Sequence, residues 1–183
     1  MIKKYVISGG PGVGKTTIIE LLKNSGFNVV NEVARPIIEE EKEKEKTILN
    51  YSGIFPWNKL EEFQELVIQR QLHKESLINS NVVFLDRSLV DPVGYCKQGN
   101  VNIRSDIFKL IKDAGYFKIF YLDNLSNYFK DNERLEDEVK AKKLHELIYE
   151  AYNSLGFNIV NVPELTPEER LKFILKIVEN QED

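Results

Sequence analysis

Apolar residues fall into two rhythms along this chain. Short, nearly continuous runs rich in Val, Ile, Phe and Tyr occur at 4–8 (KYVIS), 28–31 (NVVN), 82–86 (VVFLD), 118–123 (KIFYLD) and 158–162 (NIVNV). Strands covered on both faces read this way, because neither face has to carry a polar residue. Between them, apolar positions recur every three or four residues, which predicts helices over 15–25, 33–48, 59–79, 103–114, 137–155 and 167–180. Alternating strands and helices imply a parallel sheet with right-handed crossovers, an α/β architecture with helices on both faces.

The boundaries carry their own signals. "NSGFNVVN" and "SLGFNIVN" each place a glycine, Gly26 and Gly156, where a helix end calls for positive φ before a strand begins. We read this as shared turn chemistry, not as an internal repeat. "TPEER" offers Thr166 as N-cap, Pro167 at the first helical position and Glu169 for a capping box. The run "EEEKEKEK" (39–46) reads as a solvated helix face with i,i+4 pairs. "YSGIFPWNK" (51–59) gathers Gly, Pro and three aromatics in a connecting segment, either a hinge or lid over a site or an anchor for the next helix.

Composition narrows the class. The 183 residues suit a single domain, 1–183, with a substrate or lid insertion at 47–60. A formal charge of −4 gives no overall basic surface, and no basic stripe or RNA-binding signature is present, so nucleic acid is not an expected partner. One cysteine, Cys96, excludes a disulfide framework and a multi-cysteine zinc site, and fits a reducing cytoplasm. The apolar start is too short for a membrane span or signal peptide. Whether the chain pairs with a second copy is left open.

The stretch that fixes the chemistry is "GGPGVGKT" (9–16), a full G-x-x-x-x-G-K-[ST] motif between a strand and a helix. Gly9, Gly10, Pro11, Gly12, Val13 and Gly14 form a loop whose backbone can wrap an anion, and the helix that follows adds its positive end. In such a loop Lys15 reaches the β- and γ-phosphates, Thr16 offers its hydroxyl to Mg²⁺, and Thr17 lies in the same first turn. The apolar pattern leaves Lys15 outside the core.

A site of this kind needs a second acidic group at a neighbouring strand end. "VVFLDRS" supplies Asp86 as the metal-side carboxylate, in preference to Asp123 of "IFYLD", because Arg87 beside it also needs a purpose. Arg87 can clamp an acceptor or the transferring group, or ion-pair with Asp86 and position it. "NEVAR" places Glu32 at the mouth of the second strand and Arg35 one turn on. There Glu32 can take a proton from an acceptor hydroxyl, bind it, or simply favour the helix N-terminus. Gln64 and Arg70 lie on the 59–79 helix, facing ligand or solvent. Arg134 is the only arginine of "KDNERLEDE" (130–138).

Taken together, "GGPGVGKTT", "NEVAR", "EFQELVIQRQ", "FLDRS", "DNERLEDE" and "VPELTPEERLKFIL" resemble the AAA-like group of P-loop kinase-like ATPases related to the nicotinamide riboside kinase domain. More distantly they resemble the deoxynucleoside kinases. The resemblance spans most of the chain. It implies a three-layer P-loop NTPase fold with a five-stranded sheet of order 2-3-1-4-5. It also implies ATP with Mg²⁺, a catalytic base at Glu32, an Arg87 that binds phosphate or the neighbourhood of the base, a lid at 124–138 that carries Arg134, and a loop at 162–165 whose backbone flanks the base. The chain departs from those kinases in reading Asp-Arg-Ser where they read Glu-Arg-Ser, which leaves the acceptor open. The leading expectation is a kinase acting on a hydroxyl of a nucleoside-like acceptor. The alternative is a regulatory switch that binds ATP or GTP. "NKLE" (58–61) approaches the guanine-reading N-K-x-D signal but ends in Glu and precedes the third strand.

Overall fold

A computed structural model describes residues 2–126 and 138–180. β1 (Lys3–Ser8) runs into the glycine-rich loop and α1 (Lys15–Asn24), then β2 (Asn28–Val30), α2 (Ala34–Thr47), α3 (Leu60–Ser76) and β3 (Val82–Asp86). α4 (Asp91–Gly99), α5 (Ser105–Asp113), β4 (Tyr116–Leu122), α6 (Glu138–Ser154), β5 (Ile159–Val162) and α7 (Pro167–Glu179) complete the described chain. The strands form one sheet ordered β2-β3-β1-β4-β5, every pair parallel. This is the order that the resemblance implies.

Both faces of the sheet are covered, which is why its strands are apolar at nearly every position. Tyr5, Ile7, Phe84, Phe120 and Leu122 point to one side and pack with Ile18 and Leu22 of α1 and Ile174 of α7. The alternate residues Val6, Val83, Leu85, Ile119 and Tyr121 pack with Val93 of α4 and with Leu144, Ile148 and Tyr152 of α6. A smaller cluster, Val33, Ile37, Phe63 and Val67, joins α2 to α3. None of the described helices is long and apolar enough to cross a membrane.

The caps follow the sequence. Thr166 Oγ1 accepts from the Glu169 amide at 3.3 Å, and Glu169 Oε2 accepts from the Thr166 amide at 3.0 Å. Gly26 and Gly156 have φ of +89° and +77°. α4 is an addition: the sequence pattern left 91–99 without an element. The charge run also needs one correction. Glu41, inside it, is only 2% exposed and accepts from Lys44 Nζ, the Tyr51 hydroxyl and the Ile54 amide. It therefore holds the connection between α2 and α3. Phe55 in that connection is buried, with Trp57 stacked on it at 4.7 Å.

Parallel pairing brings the carboxyl ends of the strands to one edge. Ile7 lies opposite Asp86, Val30 opposite Leu85, Ser8 opposite Tyr121 and Leu122 opposite Val162. Ligands of open α/β sheets bind outside this edge, next to the central strand.

Candidate active site

The loop after β1 owes its shape to its glycines. Gly12 and Gly14 have φ of +78° and +87°, which a side chain would strain. At Gly10 a Cβ would fall 2.7 Å from that of His145, so only glycine lets α6 approach so closely. Gly14 is also the N-cap of α1, and no side chain caps that end. Thr16 and Thr17 are exposed in the first turn, beside amides that helix geometry leaves unpaired. Lys15 is buried, contrary to its expected place outside the core, and its ammonium donates to Gly9 O at 3.0 Å and Gly10 O at 2.5 Å. Burial, with Arg87 nearby, lowers its pKa to about 7. A phosphate beside it would reverse that pressure by supplying opposite charge.

The structure brings Asp86, Arg87, Glu32 and Arg35 to the same edge. Arg87 sits in the left-handed region with φ +70°, a costly conformation for a long side chain. Its amide donates to Ile7 O at 3.0 Å. Its Nε donates to Glu32 Oε1 at 3.1 Å, Nη1 reaches Asp91 Oδ1 at 3.5 Å, and the guanidinium lies over the Tyr95 ring. Arg35 Nε is 3.4 Å from Glu32 Oε2. Burial pushes the Glu32 carboxyl up, but Arg87, Lys15 and Arg35 outweigh it and the net shift is downward. Asp86 goes the other way: burial and the Glu32 charge raise it to about 6. Its Oδ1 is buried with no hydrogen-bond partner among the described residues.

That orphaned oxygen is the test of the metal expectation. Among the described residues no three His, Cys, Asp or Glu side chains are grouped to hold a metal by themselves. The Asp86 carboxylate and the Thr16 hydroxyl are hard oxygens, which suit a small hard cation completed by phosphate oxygens and water. The residues fit Mg²⁺ brought in with a nucleotide.

Within this frame the chain can be placed among known proteins. A family profile described as an AAA domain matches residues 4–170. The chain belongs to this AAA-domain family. Comparison with curated protein sequences gave no match. Among solved structures, deoxyadenosine kinase from M. mycoides with dCMP and dCDP bound superposes with a TM-score of 0.66 at 18% identity, over 97% of this chain and 98% of that one. The same kinase with dATP gives 0.65 at 18%, over 97% and 99%. Shikimate kinase from Aquifex aeolicus gives 0.57 at 19%, over 96% of each chain. NadR protein in complex with NR gives 0.66 at 16%, over 98% of this chain and 50% of that one. At such identities the likeness carries the fold: this AAA-domain chain has the P-loop kinase architecture.

Several residues at the edge of the AAA-domain sheet had no marker in the sequence reading. Asp91, 1% exposed, accepts from Ser8 Oγ at 2.7 Å, the Ser88 amide at 2.9 Å and the Tyr152 hydroxyl at 2.5 Å. It ties β1, the β3 exit and α6 together behind Arg87. The Asp-Pro pair opening α4 was the one available signal. His145 Nδ1 accepts from the Gly10 amide at 3.0 Å, and burial, with Lys15 nearby, lowers its pKa to about 4, which keeps it a neutral acceptor. Arg170 is buried beneath the loop. Gln64 is buried on α3, not at a solvated helix surface. Arg70 forms a two-bond pair with Glu40 and lines a cleft of about 230 Å³ between α2 and α3, away from the loop. Arg134 and most of the 124–138 segment lie outside the described residues.

Proposed function

We propose that this chain is a Mg²⁺-dependent, ATP-binding kinase that transfers the γ-phosphoryl group to a hydroxyl of a small, nucleoside-like acceptor. The observation that carries the reading is the 3.1 Å pairing of Glu32 with Arg87 at the strand edge that also holds Asp86 and the glycine loop. A nucleotide-binding loop alone requires neither a half-buried Glu–Arg pair nor a strained arginine beside it.

The roles follow from chemistry and position. Gly9 to Thr17 would cradle the phosphates, with Lys15 turning from the carbonyls of Gly9 and Gly10 toward phosphate oxygens. Thr16 and Asp86 would hold Mg²⁺, which when bound neutralises phosphate charge. Glu32, kept ionised by its arginines, is available to accept the acceptor's hydroxyl proton as that oxygen bonds to the γ-phosphorus and the bond to the nucleoside diphosphate breaks. Its low basicity is no obstacle, since phosphoryl transfer depends mainly on positioning and charge stabilisation. Arg87 would stabilise the charge on the transferring group, with Arg134 as the candidate lid arginine. Arg35 and the Gln64 amide would orient the acceptor.

The experiment is product detection by mass spectrometry across a panel of hydroxyl acceptors with Mg²⁺ and ATP or GTP. A stimulating acceptor should yield its phosphorylated form. Glu32→Gln should then lower kcat by about 10²-fold or more with little change in nucleotide affinity. Hydrolysis that no acceptor stimulates would replace the kinase with a nucleotide switch.

A further inference from the structure

Two carboxylates flank the Arg87 guanidinium, and they are built differently. Glu32 meets Nε at 3.1 Å from the mouth of β2. From the other side α4 supplies Asp91, whose Oδ1 lies 3.5 Å from Nη1, and the ring of Tyr95, 5.5 Å from Cζ. Asp91 and Tyr95 are one helical turn apart and so share a face of α4. In the reaction proposed above Glu32 takes up the acceptor's proton. Its charge is then lost, and its hold on Nε weakens. The charge that Arg87 must stabilise develops at that same moment, so a lasting hold has to come from α4.

Asp91 has the surroundings for it. It is 1% exposed, which closes it to any ligand. Oδ1 accepts from Ser8 Oγ at 2.7 Å, and Oδ2 accepts from the Ser88 amide at 2.9 Å and the Tyr152 hydroxyl at 2.5 Å. Since the Tyr152 proton goes to Asp91, the 2.7 Å contact between Ser88 Oγ and Tyr152 is donated by the serine. The Val90 amide in turn donates to Ser88 Oγ at 3.0 Å. Every proton of this network is directed toward the carboxylate, and with Nη1 its roughly four acceptor sites are filled. Asp91 also fixes both ends of Arg87. It holds Nη1, and it holds the amide that follows the residue's left-handed backbone, φ +70°. Ser8 ends β1 directly before the glycine loop, so the same carboxylate sets the arginine in register with that loop.

We propose that Asp91 is a positioning residue for phosphoryl transfer: with the face of Tyr95 it forms a seat that keeps the Arg87 guanidinium in place while Glu32 gains a proton. The inference rests on the kinase reading and deepens it by separating the two carboxylates. Glu32 serves the acceptor, and Asp91 serves only the arginine.

The test is nitrogen-15 NMR of the arginine side chains together with kinetics, on wild type and Asp91→Asn. The asparagine keeps the shape and removes the charge. In wild type Arg87 should give separate Nη1 and Nη2 signals, because a held guanidinium turns slowly about its Nε–Cζ bond. Loss of those signals in Arg87→Lys identifies them. In Asp91→Asn they should merge, and with a stimulating acceptor kcat should fall by about tenfold or more while KM for ATP changes by less than about threefold. Signals already merged in wild type, signals still separate in Asp91→Asn, or an unchanged kcat would each overturn the proposal. A carboxylate that only supports the fold would lower the urea midpoint and leave the kcat of the folded enzyme alone, which is the last of these outcomes. A wild type that no acceptor stimulates overturns the kinase reading and the transfer role with it, whatever the signals show. Should Asp91→Asn fail to fold, Tyr95→Leu at a half-buried position takes its place. Merged signals and a kcat lower by about threefold or more are then expected, and the absence of either would overturn the proposal.

Discussion

At Asp86 a carboxylate oxygen is kept away from water and finds no hydrogen bond among the described residues. The unfolded chain ionises this group near 3.8 and the folded chain only near 6, so the fold loses stability as pH rises from the first value to the second and stays weakened above it. Asp86→Asn should therefore stabilise the free protein at pH 7–8 by roughly 1–3 kcal/mol in urea unfolding. The same substitution should abolish most of the additional thermal stabilisation that Mg²⁺ gives on top of ATP. The residue was legible in the sequence because an apolar strand has no packing use for the charged pair at its end. The left-handed backbone of Arg87 was not legible, since no glycine or asparagine marks it. Nor was Asp91, whose partners come from β1 and α6 and meet only in three dimensions.

At the scale of elements, the strands and six of the seven described helices follow the apolar rhythm to within a few residues. α4 escaped because its nine residues include Pro92, Gly94 and Gly99, which read as turn chemistry. Gly94 has a packing cause: a Cβ there would lie 2.5 Å from Ile148 Cγ1 and 2.9 Å from its Cα on α6. Gly94→Ala should cost about 1–3 kcal/mol in denaturant unfolding, although alanine is the better helix former. The α2–α3 connection behaves differently. Burial works against the Glu41 carboxylate, yet its bonds to Lys44, Tyr51 and Ile54 outweigh burial and take its pKa down to about 2. Its contribution is fully present above about 4.5 and is lost as pH falls from there toward 2. Glu41→Gln should lower stability at pH 7 by about 1–3 kcal/mol, and its stability should fall less steeply than that of wild type between pH 4.5 and 2.5. Circular dichroism along an acid titration would follow both.

For the whole molecule, strand–helix alternation gave the parallel sheet, whereas the order β2-β3-β1-β4-β5 came only through resemblance, because periodicity carries no information on which strands are neighbours. The glycine loop stands at the chain's amino-terminal end, yet its supports are distant. The Gly10 amide rests on His145, and Val13 O is held by Arg170, 157 residues further along. β1 itself lies between β3 and β4. At roughly 5–20 residues per second, a ribosome needs on the order of ten seconds or more to pass from this loop to its last support. The nascent chain therefore carries its phosphate loop well before the residues that brace it, His145 and Arg170, have been made, and the loop gains its native bracing only once they have.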